Sequence, residues 1–294
     1  MKINVYYSNN GVGIVSDNIL IKSVLKDYDV ISYIKDKINE HRKSDVGIHI
    51  QDFDIGLLSN NKVNILIINE EWYPTSQLNV IQYVDFIFVK SLYAKSLLDL
   101  YHKNVICTGF FSLDRHFFPT QTNKILHFKG KSIQKNTELV LNYKFVKVLN
   151  SEETYLSENE VLHELNNNDI HICCSLYEAW GHYLWEALSC GKLVICSEIP
   201  VFKEHLNPDL VKFVSVKHIY EHVTNYEFLS TKKYKFRKGY FVDKVKFHEL
   251  LNNKEELFEF QKKNSDNIRH HFLEINIKNK QKFLDVIKDY AFYR

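Results

Sequence analysis

Two glutamates, Glu178 and Glu186, stand eight residues apart in the stretch SLYEAWGHYLWEALSCGKLVICS, with Gly181 between them. The same spacing recurs at Glu152 and Glu160, so any chemistry must come from the surroundings of the pair. The run DIHICCS before Glu178 predicts a buried strand, HYLWEALSC a helix that starts at Gly181 and is capped by Gly191, and KLVICS another strand. A helix starting there turns the backbone N–H groups of Gly181, His182 and Tyr183 outward at the positive end of its dipole, a ready site for a diphosphate. Glu178 then stays on the loop, beside whatever is attached to that diphosphate. Glu186, about two turns into the helix, can accept paired hydrogen bonds from vicinal hydroxyls. A solvated helix glutamate and a loop glutamate near a turn glycine is the alternative reading of the same residues.

The elements that must position these groups alternate along the chain. KINVYY reads as a strand, SNNGVGIVS as a loop and DNILIKSVLKDY as a helix. The runs at 46–50, 63–68, 84–89 and 105–109 read as further strands, with an amphipathic helix over 91–103. The pattern breaks in the polar and aromatic stretch 109–124 and restarts with KILHFKG, FVKVLN and a helix at SENEVLHELNNN, which Ser157 and Glu160 would open as a capping box. Repeated strand–helix–strand units predict an α/β protein of mostly parallel sheets. The expected organisation is two Rossmann-like domains facing a cleft, 1–120 and 121–280, with a final helix over 281–294. Beyond residue 210 the sheet signal fades into polar helices.

Composition narrows the classes. A net charge of +2 on 294 residues gives no steering toward nucleic acid, although KKYKFRKGYF (232–241) mixes basic and aromatic residues; it reads as a solvated segment or a contact with an anionic acceptor. The five cysteines form no C-x-x-C pair, and His127, His163, His171 and His182 show no metal-ligand spacing. No apolar run is long enough for a transmembrane helix or a secretory signal, so a cytoplasmic protein is expected. Nine glycines are few for this length, so each address is worth reading; Gly11 and Gly13 fall in the loop after the first strand. Asp52-Phe53-Asp54 is a D-x-D, but nothing around it supports a metal site.

The segment from Ser175 to Pro200 resembles the signature of retaining glycosyltransferases of the GT-B fold, group 1 or family 4. Glu178, Gly181, Glu186, Ala187, Cys190 and Gly191 fall in register with the pattern S-x-x-E-G-F-G, E-A, C-G. Ala179 and Trp180 depart from its first glycine and its phenylalanine. The resemblance implies that Glu178 contacts the donor sugar and Glu186 the nucleotide ribose, and that the final helix returns to the first domain. It also implies a basic pair after the second domain's first strand. Lys131, after Gly130, and Lys135 stand there to clamp the diphosphate, with lysine where arginine is commoner. The end of FVKVLN, from Val148 to Tyr155, would hold the base, and Gly11 and Gly13 would let backbone approach substrate from the opposite wall. NEEWYP and GFFSLDR fall where the family has acceptor-facing loops and the inter-domain connection; Glu70, Glu71 and Asp114 are candidates there, with surface carboxylates as the alternative.

The resulting expectation is a retaining, metal-independent hexosyltransferase with no cofactor. Its donor would be a nucleotide-diphosphate sugar, GDP-mannose by preference and otherwise a UDP-sugar. The acceptor would be a glycan, glycolipid, glycoprotein or other hydroxyl compound; the oligomeric state, a homodimer included, is left open. The rival reading is a non-catalytic sugar-nucleotide or glycan-binding module on a degenerate GT-B scaffold. A dinucleotide-dependent oxidoreductase or epimerase is disfavoured because no full G-x-G-x-x-G follows the first strand.

Overall fold

The computed structural model describes residues 1–9, 12–37, 42–117, 120–129, 133–150, 156–222 and 236–291. The chain divides into two compact units. One holds Met1–Phe111 and, from Ile277, the end of the last helix; the other holds Ser112–Glu221 and Lys238–Asn276. The first division therefore falls between residues 111 and 112 rather than at 120, because Ser112–Arg115 is hydrogen-bonded to Asn276, His182 and Ser189, all in the second unit.

The first unit contains β1 (Lys2–Tyr7), α1 (Val12–Val24), β2 (Asp29–Ile34), β3 (Ser44–Ile50), α2 (Ile55–Leu58), β4 (Asn61–Ile67), β5 (Phe86–Val89), α3 (Leu92–Leu98) and β6 (Val105–Cys107). Its six strands pair in parallel in the order β2-β1-β3-β4-β5-β6. The central strands read as near-continuous apolar runs because both faces are covered: Ile65, Leu66 and Ile67 are all buried, as are Ile87, Phe88 and Val89. β2 escapes the sequence pattern since, as an edge strand, it is only half-buried.

The second unit contains β7 (Ile125–Lys129), β8 (Val146–Asn150), α4 (Glu158–Asn166), β9 (Ile170–Cys173), α5 (His182–Ser189), β10 (Leu193–Ser197), α6 (Pro200–His205) and β11 (Lys212–Val214). Its sheet runs β11-β10-β9-β7-β8, again parallel. Ile125, Ile170, Ile172, Leu193, Ile195 and Val214 form its core with Phe247 and Leu251. The capping box opens α4: Ser157 N–H donates to Glu160 Oε2 at 2.7 Å and Glu160 N–H donates to Ser157 Oγ at 3.3 Å.

Strand order reverses in this sheet between β7 and β9: β8 lies to one side of β7, whereas β9, β10 and β11 extend to the other. Connections leaving a parallel sheet at such a point run to opposite faces, which opens a crevice outside the carboxyl ends of the two strands. The loops that leave β7 and β9 carry Lys135 and Glu178.

The region beyond 210 differs from expectation. It holds β11 and a two-stranded sheet of β12 (Val216–His222) and β13 (Phe236–Val242) before α7 (Lys244–Asn252) and α8 (Lys254–Ala291). The basic and aromatic stretch 232–241 thus enters β13, its first residues lying outside the described ones. The final helix starts at Lys254, not near 281, and is 38 residues long. Its last turns pack on the first unit's sheet. The Phe283 ring stands edge-on to Phe88 at 5.8 Å and to Phe111 at 5.5 Å, and Tyr290 lies 4.1 Å from Phe86. Among the described residues no helix is long and apolar enough to cross a membrane.

Candidate active site

Lys135 ends a short 3-10 turn, Ile133–Lys135, that follows β7. Its Nζ lies 2.5 Å from Glu178 Oε1, and Ser175 Oγ donates to the same oxygen at 2.8 Å. Leu176 N–H donates to the carbonyl of Gln134 at 2.8 Å, tying the loop after β9 to the turn after β7. The glutamate side chain is 7% exposed and the lysine 24%, so the pair is largely withdrawn from solvent, with the lysine the more accessible partner. A carboxylate and an ammonium so placed can orient sugar hydroxyls and neutralise phosphate charge.

The start of α5 is next to them. Gly181 is its N-cap, with φ 78° and ψ 61°, and no side chain caps the helix there. A Cβ at this position would meet the Phe202 ring at 3.0 Å and lie 3.6 Å from Glu178 Cγ. Only glycine satisfies both the left-handed backbone and the close approach. Trp180 is buried, stacks on Trp185 with centroids 4.6 Å apart, and donates its indole N–H to Ser112 Oγ at 3.0 Å. The same hydroxyl is 2.9 Å from His182 Nδ1, so the helix start is fixed through both side chains. The Trp185 indole N–H donates to the Trp180 carbonyl at 3.1 Å, and Ala179 is buried with them. The two departures from the family pattern therefore serve packing. The Tyr183 side chain points inward: its hydroxyl donates to His171 Nδ1 at 3.1 Å, with the Leu126 carbonyl 3.3 Å away, and burial pushes its pKa well up. What Tyr183 can present to a ligand is its backbone N–H.

Glu186 lies one turn beyond His182 on α5. Its Oε1 is 3.4 Å from Arg115 Nε, and Arg115 Nη1 donates to Glu158 Oε2 at 2.6 Å. Burial raises the Glu186 pKa, against the attraction of Arg115 and His182. Sequence reasoning passed over Arg115; it singled out the adjacent Asp114, whose carboxylate instead pairs with Arg269 at 2.9 and 3.0 Å. Burial works to raise the Asp114 pKa, but the Arg269 hydrogen bond and charge overcome it and hold the group below its ordinary value. The helix ends in a Schellman turn, with Gly191 N–H donating to the Leu188 carbonyl and Lys192 N–H to that of Ala187.

Other candidate residues fall elsewhere. Gly130, Lys131, Gly11 and Tyr155 lie outside the described residues. Gly13 is in the first turn of α1, exposed, with open space where a Cβ would be. The Val148 side chain packs against the second unit's core, which leaves backbone as its contribution to a base site. Glu70 and Glu71 are 3% and 8% exposed in a 3-10 turn, Glu70–Trp72, so they are not surface carboxylates. Asp54 caps α2 by accepting from Gly56 N–H at 2.8 Å and Asp52 pairs with Lys35, so both D-x-D carboxylates have structural partners. His127 and His171 are buried, neutral histidines with pKa values lowered to about 4 by desolvation. Among the described residues no cluster of three or more His, Cys, Asp or Glu is placed to hold a metal ion.

Residues 129–226, which include Lys135, Glu178 and Glu186, match the family of glycosyl transferases group 1. Solved glycosyltransferase-type structures match nearly end to end. A glycosyltransferase from Rickettsia africae is 10% identical with a TM-score of 0.66, covering 100% of this chain and 99% of its own. Anabaena HepE in complex with UDP and glucose is 10% identical with a TM-score of 0.65, covering 98% and 99%. An E. coli structure described as trehalose-6-phosphate bound with UDP-2-fluoro glucose is 7% identical with a TM-score of 0.65, covering 100% of each chain. Residues 129–226 carry group 1 glycosyltransferase sequence, and the chain has the GT-B fold. No curated protein sequence matches the chain. Gly181→Ala is expected to destabilise the second unit by about 1–2 kcal/mol from left-handed backbone strain alone, with further loss from the Phe202 contact. Denaturant unfolding followed by fluorescence of Trp180 and Trp185 measures it; an unchanged midpoint contradicts the assigned backbone.

Proposed function

We propose that the chain is a retaining hexosyltransferase that uses a nucleotide-diphosphate sugar and needs no metal. The observation that carries this is the meeting of the Lys135–Glu178 pair with the uncapped start of α5 at the strand-order reversal. Glu178 orients hydroxyls of the donor sugar, and Glu186 accepts from the ribose. Lys135, with Lys131 and the backbone at Gly130, holds the diphosphate, and the N–H groups of Gly181, His182 and Tyr183 take its oxygens. Backbone near Val148 and Tyr155 meets the base, and Gly11 and Gly13 are further donor-contact candidates.

Transfer proceeds by front-face attack. The acceptor hydroxyl oxygen bonds to the anomeric carbon as the bond to the diphosphate breaks, and the proton passes to the departing diphosphate oxygen. The positive groups around the diphosphate stabilise its developing charge, as a cation would. The acceptor is a glycan, glycolipid, glycoprotein or other hydroxyl compound, and the reaction is placed in the cytoplasm. GDP-mannose is the preferred donor; the uridine ligands held by two of the similar structures make UDP-sugars the second arm of the test.

Calorimetric titration with UDP-, GDP- and ADP-sugars tests the reading. One sugar nucleotide should bind, and hydrolysis or transfer with it should persist undiminished in excess EDTA. Binding of none removes the enzyme reading, and activity abolished by EDTA removes the metal-independent mechanism. Glu186→Ala should weaken the sugar nucleotide and the bare nucleotide alike, by about tenfold or more for one charged hydrogen-bonding partner; affinity retained for both would show the ribose assignment wrong.

A further inference from the structure

Arg115 lies on the segment leading into the second unit's sheet, and both of its backbone polar groups are hydrogen-bonded. Its N–H donates to Ser189 Oγ at 2.9 Å. Its carbonyl accepts from Asn166 Nδ2 at 2.8 Å and from the Cys190 thiol at 3.3 Å. The guanidinium, 17% exposed, spans two carboxylates: Glu158 at the start of α4, 79% exposed, and Glu186, 15% exposed. The contact to Glu158 is a hydrogen bond of 2.6 Å, whereas that to Glu186 is 3.4 Å, so charge attraction rather than a tight hydrogen bond dominates it.

We infer that Arg115 is a positioning residue for the nucleotide site, which keeps the Glu186 carboxylate charged and aimed so that it can accept the ribose hydroxyls. The inference rests on the assignment of Glu186 proposed above. A carboxylate inside the second unit loses solvation and is driven toward its neutral form unless a cation faces it. The groups around Glu186 are few. On its own helix, His182 lies one turn before it; Arg115 faces it from the 112–117 segment; Glu158 opposes it from α4; and the Cys190 thiol, itself pushed up to about 12 by burial, stands past the helix end. Arg115 is the permanent cation of this set. Burial is the larger influence on Glu186 and holds its pKa above the ordinary value even with Arg115 in place, so the carboxylate is one whose charge is easily lost.

The sign follows. Protonated Glu186 cannot accept paired hydrogen bonds, so affinity falls as pH drops through its folded pKa. Removing the Arg115 charge moves that fall to higher pH; removing the Glu158 charge moves it to lower pH. A merely structural role for Arg115 would change affinity equally at all pH values.

The test is calorimetric Kd for UDP and for GDP between pH 5.5 and 9, in wild type, Arg115→Met, Arg115→Lys and Glu158→Gln. Comparing variants at the same pH cancels the ionisation of the nucleotide itself. Arg115→Met should move the midpoint to higher pH, with an approximately tenfold loss of affinity below it that recovers as the pH rises. Arg115→Lys should restore most of the wild-type profile, and exposed Glu158→Gln should shift it the opposite way. If Arg115→Met does not fold, the lysine and Glu158→Gln profiles still decide. Profiles that coincide with wild type, or a loss independent of pH, overturn the inference. Wild type binding neither nucleotide overturns the proposed function instead, and the role of Arg115 with it.

Discussion

Glu178→Ala should lower transfer by about 10²–10³-fold, the usual cost of removing a preorganised charged group from a transfer site, while the bare nucleotide still binds within a few-fold of wild type. The carboxylate is held by Lys135 at 2.5 Å and Ser175 at 2.8 Å, so it is fixed before substrate arrives and does not need to be ordered during the reaction. Under the proposed assignment its removal takes away sugar orientation but leaves Glu186 and the α5 N–H groups to hold the nucleotide. Glu178→Gln separates charge from shape: if the negative charge matters, the glutamine variant should stay close to alanine in turnover. Lys135→Met should instead damage both turnover and affinity for the diphosphate. Initial rates with the identified donor, beside calorimetry with the bare nucleotide, measure all three. Turnover of Glu178→Ala within threefold of wild type would remove the residue from the active site.

The largest expected effect on stability lies away from the site. Lys192 and Asp169 are 2% and 1% exposed and 3.0 Å apart, and Asp169 also accepts from the N–H groups of Thr122 and Asn123 at 2.7 and 2.6 Å. Lys192 reaches the Thr120 carbonyl at 3.1 Å. Asp169→Ala strands an ammonium inside the protein and should cost about 3–5 kcal/mol. The double variant Asp169→Ala/Lys192→Met should cost less than Asp169→Ala alone, because no charge is left behind. Asp99→Ala provides the contrast: its i,i+4 pair with Lys95 is 35% and 46% exposed and should change stability by less than about 0.5 kcal/mol. Guanidinium unfolding read through Trp180 and Trp185 reports the second unit. A loss under about 1 kcal/mol for Asp169→Ala would mean that water reaches the lysine once its partner is gone.

Much of the second unit is legible in the chain because its signals are local. DIHICCS and KLVICS are apolar throughout, as strands covered on both faces must be. Ser157 and Glu160 announce α4 by hydrogen bonds that span three residues, and Gly181 and Gly191 bracket α5 because each adopts a left-handed backbone, at φ 78° and 69°. Glu178 and Glu186 take their places from those boundaries. Elements whose pattern depends on position in the sheet were less visible: β2 is an edge strand, and β12 and β13 carry mixed sequence that periodicity does not separate from helix.

By itself the sequence determined the alternation of strands and helices, the two glutamates flanking a helix start, and a lysine after a strand-ending glycine. Those follow from propensity, capping and spacing, which act over a few residues. Only the tertiary structure decided that Lys135 and Glu178 meet across 43 positions, that Arg115 rather than Asp114 faces Glu186, that Glu70 and Glu71 are buried, and that Lys192 has Asp169 as its partner. A charged side chain carries no mark of its partner in the sequence. The partner is chosen where folding removes both from water, and the strand-order reversal between β7 and β9 brings the loops bearing Lys135 and Glu178 together.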